Sequence, residues 1–69
     1  VTVLTRERLR HDDLELLRLL AAGLPADAVA RRLGLSDRTI RRRTRAICDQ
    51  LGVRTQIEAV VWAVRRGLL

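Results

Sequence analysis

Two runs of apolar residues with helical spacing are separated only by the short stretch Gly34-Leu35-Ser36, which leaves room for a turn and nothing else. Before it, Ala26, Val29, Ala30 and Leu33 recur at i, i+3, i+4 and i+7. After it, Ile40, Thr44, Ile47 and Leu51 fall on one side of a second helix, because successive residues advance by about 100°. Gly34 stops the first of these helices. Ser36 is a strong N-cap for the next, with Asp37 favourably placed at its positive terminus. Two helices joined through so short a turn, glycine included, have the form of a helix-turn-helix.

Further punctuation predicts a helix on either side of this pair. Asp12 reads as an N-cap with Glu15 as its capping-box partner, opening a leucine-rich helix that Gly23 ends. Leu24-Pro25 opens the second helix, where proline is tolerated because no donor is needed in the first turn. The third helix is expected over about residues 37–51, ended by Gly52. Thr55 and Glu58 form a T-x-x-E box for a fourth, which carries Ile57, Ala59, Val60, Val61, Trp62, Ala63 and Val64. The expected fold class is all-α, a four-helix helix-turn-helix domain over residues 11–69. Residues 1–10 are expected to be a linker or lead-in segment.

Charge is concentrated on the same turn and helix. Between Arg31 and Arg45 there are seven arginines against one acid, Asp37, a net +6 that equals the charge of the whole chain. On the third helix, Arg38, Arg41, Arg42 and Arg45 share the side opposite the apolar residues, at i, i+3, i+4 and i+7. Most charged helix stripes are solvated faces. Here the charge density, the missing acids and the preceding turn favour contact with the backbone of double-stranded DNA. Arg43 lies at the edge of the apolar side, and two roles stand level for it: snorkelling along the core, or clamping a phosphate near the second helix. Arg31 and Arg32 end the second helix, where cations balance the helix dipole; phosphate contact is slightly the favoured reading.

Composition narrows the alternatives. A chain of 69 residues that is 48% hydrophobic and 32% charged is one small domain with a core, not a disordered tail. Trp62 is its only aromatic residue, too few for the stacking platforms of single-strand binders. Cys48, the one cysteine, permits neither an intrachain disulfide nor a cysteine metal cluster, so a reducing cytoplasm is the expected compartment. No apolar run reaches membrane-span length. His11 has no second ligand or nucleophile beside it, and Asp12, Asp13 and Glu15 are explained by a helix start. No catalytic residue, metal ligand or cofactor site is expected. The chain begins with Val1 and is expected to be a piece of a longer protein.

These residues resemble the LuxR-type (GerE-like) DNA-binding domain at the C-terminus of many bacterial transcription regulators. The resemblance rests on residues 17–24 (LRLLAAGL), 29–40 (VARRLGLSDRTI), Ile47, 51–55 (LGVRT), and Glu58-Ala59-Val60 through Ala63 to Gly67-Leu68-Leu69. It implies that the third helix enters the major groove, with Arg41, Arg42 and Arg45 facing bases and nearby phosphates. Arg38 and Thr39 would touch the backbone. It also implies a homodimer through the fourth helix, bringing in Val61, Trp62 and Val64. Departures are visible: Arg10 and Asp13 stand where the family usually has Thr and Glu, with Leu9 in register. Arg43 replaces a common His, Gln50 a common Lys and Pro25 a frequent Ser or Thr cap. RNA polymerase is a further expected partner. The rivals are a sigma-factor region-four-like domain, and a protein-interaction module that sets its basic face against an acidic partner.

Overall fold

Residues 9–69 are described by a computed structural model; the first eight residues of the expected linker or lead-in segment lie outside them. Among the described residues the chain forms four helices: α1 (His11–Ala21), α2 (Ala26–Leu33), α3 (Asp37–Leu51) and α4 (Gln56–Arg65).

α1 is the hub. Leu16, Leu17, Leu19 and Leu20 give it four buried side chains, and it packs against each of the other helices. α3 also touches all the others, whereas α2 and α4 share no packing contact among the described residues. The second and fourth helices are therefore separate supports for the pair formed by α1 and α3. Val29 and Ala30 fill the α2 side, and Ile40, Ile47 and Cys48 come from α3. Ala59 and Ala63 are the fully buried residues of α4, where small side chains let the helix axis approach closely.

The start of α1 departs from the sequence expectation. Asp12 is not the N-cap, and Glu15 is not its partner. The Leu14 N–H donates to the Arg10 carbonyl at 3.0 Å, so the helical ladder begins two residues earlier than expected. An arginine side chain has no acceptor to offer, and the box is half-built: the Asp13 carboxylate accepts from the Arg10 N–H at 3.2 Å. Asp12 and Asp13 then sit in the first turn, where negative charge suits the helix dipole. Glu15 instead pairs with Arg18 at 2.8 Å. Leu9 packs on the core just ahead of this start. α2 shows a smaller shift: Pro25 has extended backbone (φ −70°, ψ 163°) and precedes the first helical residue.

The turn that defines the motif forms as expected. Gly34 adopts φ 72°, ψ 31°, a left-handed conformation that costs a residue with a Cβ about 1–2 kcal/mol. It allows the Leu35 N–H to reach the Ala30 carbonyl at 2.9 Å and the Gly34 N–H the Arg31 carbonyl at 3.3 Å. The same pair of bonds closes the other three helices. The Ser36 hydroxyl then accepts from the Thr39 N–H at 3.1 Å, starting α3 where the sequence places it. At α4, the Thr55 and Glu58 box is complete, with bonds of 3.1 Å and 2.9 Å.

Candidate nucleic-acid interface

α3 carries its two faces as the periodicity requires. Ile40 and Ile47 are 1% and 2% exposed, and Thr44 folds its hydroxyl back to donate to the Ile40 carbonyl at 2.8 Å. Arg38, Arg41, Arg42 and Arg45 are all exposed. From Arg38 to Arg45 the helix rises about 10 Å at 1.5 Å per residue. Thr39 is half-buried at the helix start, and its hydroxyl accepts from the Ser36 hydroxyl at 3.0 Å.

Neutralising partners are scarce on this face. Among the described residues the ion pairs are Glu15 with Arg18 and Asp27 with Arg31, the latter at 3.6 Å and well exposed. No arginine of α3 is paired with a carboxylate in that set. Arg31 is thus partly balanced within α2, while Arg32 is exposed and without such a pair. Arg43 is set apart from its neighbours. It is half-buried and borders two hollows at the start of α1, one with His11, Asp12 and Glu15, the other with Asp13 and Gln50. The structure brings together Arg38, Arg41, Arg42 and Arg45, but turns Arg43 towards α1.

Sequence reasoning missed one part of this region. A groove of about 500 Å³ runs beside α3, and Arg41 and Arg45 share its lining with Arg54 from the α3–α4 turn and Gln56 at the start of α4. The signal available was a lone arginine two residues after the helix-ending Gly52, close enough to fold back on α3.

α4 presents a second, apolar face. Ile57, Val61 and Val64 are 72%, 41% and 53% exposed, and their spacing of four and three residues places them on one stripe; Leu68, 37% exposed, lies beyond the helix end. Val61 and Val64 were expected there; Ile57 was not. Trp62 is displaced from the stripe. It is half-buried against the core, and the Arg66 guanidinium lies 4.2 Å from its ring centre.

Two groups titrate away from their ordinary values. The Cys48 thiol is pushed up, first by burial and then by Asp49 and Glu58, so it stays neutral and unreactive. The Glu58 carboxyl is held down by the backbone N–H groups of Arg54 and Thr55. Among the described residues no His, Cys, Asp and Glu cluster could hold a metal ion, and no helix is long and apolar enough to cross a membrane.

A four-helix domain with this turn and this basic helix is a DNA-binding domain of the helix-turn-helix class. The family model of bacterial regulatory proteins of the luxR family (GerE) matches residues 8–63, and the chain belongs to that family. It is a transcription-regulator domain, not an enzyme. A relative, the transcriptional regulatory protein YdfI of Bacillus subtilis (strain 168), is 36% identical over 62 residues. The match takes in 90% of this chain and 29% of YdfI, so the chain spans under a third of the relative's length. No solved structure matches the chain.

Proposed function

We propose that the chain is the output domain of a longer regulator and binds specific double-stranded DNA sites with α3 in the major groove. The observation that carries this reading is the face of Arg38, Arg41, Arg42 and Arg45: four exposed guanidinium groups with no carboxylate partner among the described residues. Their span of about 10 Å fits a groove about 12 Å wide. Arg41, Arg42 and Arg45 point to base edges and adjacent phosphates, and at least one reads a guanine through its N7 and O6 acceptors. Arg38 and Thr39 take backbone phosphates at the helix start. With the Ser36 hydroxyl donating to Thr39, the Thr39 hydroxyl proton is available to a phosphate oxygen. Arg32 supplies a further phosphate contact, Arg31 a weaker one because Asp27 competes for it, and Arg43 the least, since it faces α1.

Two copies pair through the exposed stripe of α4, centred on Val61 and Val64 with Trp62 at its margin. This sets the two α3 helices in successive major grooves roughly 34 Å apart. RNA polymerase is a further partner of the bound regulator, and the cytoplasm is the compartment in which DNA and polymerase are met.

Arg45→Ala should weaken binding to a selected duplex site far more than Arg65→Ala, which removes a charge from the far end of α4. Loss of a base-reading arginine costs about 1–3 kcal/mol of discrimination. Equal effects from the two substitutions would count against the assigned face.

A further inference from the structure

The groove beside α3 is lined by Arg41, Thr44 and Arg45 of α3, by Arg54 of the α3–α4 turn and by Gln56, the first residue of α4. Its acidic member is Asp49, so three cations and one anion line it. Asp49 is not ion-paired with either neighbouring arginine among the described residues. The remaining floor is apolar, Leu20, Ile40 and Val53 among it.

The turn that carries Arg54 is rigidly set. Its backbone N–H donates to the Glu58 carboxylate at 2.9 Å, and the Thr55 N–H donates to the same oxygen at 2.9 Å. The carboxylate closest in sequence is thereby engaged by backbone donors, and the exposed Arg54 guanidinium has no carboxylate partner among the described residues. A trough with cationic rims and a carbon-rich floor matches a sugar–phosphate strand: deoxyribose faces the floor and phosphate oxygens reach the rims. An arginine fork and an amide donor are both suited to such oxygens.

We infer that Arg54, with Gln56, holds the DNA strand flanking the major groove, making the α3–α4 turn a second phosphate-binding wall opposite Arg41 and Arg45. This rests on the reading of α3 given above. Arg54 adds affinity and register on the duplex without reading sequence, and Asp49 opposes it from inside the same trough.

The test is a fluorescence-anisotropy titration of the 69-residue chain against a short random-sequence DNA duplex at several salt concentrations. Each phosphate contact contributes about −0.9 to the slope of log K against log[salt]. Arg54→Ala should reduce the magnitude of that slope by about 0.9, so that the difference from the parent grows as salt falls, by about 3.5-fold over a fourfold dilution. The substitution spares the backbone N–H that caps α4, and an unchanged circular-dichroism melt checks the fold. Asp49→Asn should strengthen binding at low salt. An Arg54→Ala slope equal to the parent's, with Arg45→Ala clearly reduced, would overturn the second wall and leave the α3 reading standing. If neither Arg54→Ala nor Arg45→Ala altered the slope, the α3 reading itself would fall.

Discussion

Arg42 offers the sharpest view of how this domain balances stability against function. On α3 its neighbours one turn away are Arg38 at i−4, Thr39 at i−3, Arg45 at i+3 and Ala46 at i+4. Its charged neighbours at these spacings are all cations, as are those of Arg38 at the helix start, whereas Arg41 also has Asp37 and Arg45 also has Asp49 four residues away. A like-charge pair at such spacing costs a helix about 0.2–0.5 kcal/mol. Arg42→Ala removes two pairs, an expected gain of about 0.4–1 kcal/mol. Arg42 is exposed, so truncation opens no cavity, and alanine's helix propensity acts in the same direction. For a domain of this size that corresponds to a melting temperature roughly 2–8 °C higher.

Thermal and urea melts followed by circular dichroism at low and high salt measure this directly. At about 1 M salt the screening length falls to about 3 Å, so most of the gain should vanish and leave only the propensity contribution. Arg65→Ala provides a comparison of opposite sign. Arg65 lies in the last turn of α4, where a cation is favourable by about 0.3–1 kcal/mol, and its loss should lower the melting temperature. The reasoning is refuted if Arg42→Ala melts below the parent at low salt, or if its gain is the same at every salt concentration.

Val64→Glu should weaken binding to a duplex with two half-sites at least about tenfold, equivalent to about 1.4 kcal/mol, while leaving a single half-site unaffected. A cooperative complex of unaltered strength, measured by band shift, would dispose of pairing through α4. Glu58 should shape the acid limb of stability. Its carboxyl is held down in the folded state by the Arg54 and Thr55 N–H groups, so its contribution is present above the ordinary carboxylate value and lost as pH falls through the lowered one. Glu58→Gln should flatten that limb in urea midpoints taken against pH, and an identical limb in both proteins would contradict the assigned bonds.

The helix-turn-helix was legible because its signals are local. Gly34 and Ser36 each satisfy backbone groups within a few residues, and the apolar and basic faces of α3 follow from one periodicity. The first turn of α1 was not legible in the same way. Its cap position holds Arg10, which has no acceptor, so the cue shifted to the nearest good capping residue, Asp12. That Arg54 shares a groove with Arg41 was harder to read, because a position two residues past Gly52 permits a return to α3 without requiring it. Only the packing of α3 and α4 on α1 brings the two to one trough. On α4, hydrophobicity marked the whole helix without sorting it. Burial of Ala59 and Ala63 fixes which side faces inward, and that choice exposes Ile57 together with Val61 and Val64 while drawing Trp62 against the core.

The placement of charge has a consequence for how DNA and folding are coupled. The arginines of the α3 stripe are set on a helix that touches all the others, so their spacing is fixed by the core and cannot relax without unfolding. Four of their pairs lie at repulsive spacings, a cost of about 0.8–2 kcal/mol against a total stability of order 5–15 kcal/mol for proteins generally. With α3 in the groove as proposed, phosphates would neutralise that repulsion only when the helix is formed, and DNA would bind the folded chain in preference to the unfolded one. The melting temperature should therefore rise with duplex concentration, first by mass action. In the Arg42→Ala protein that rise should be smaller, since it binds its partner less tightly.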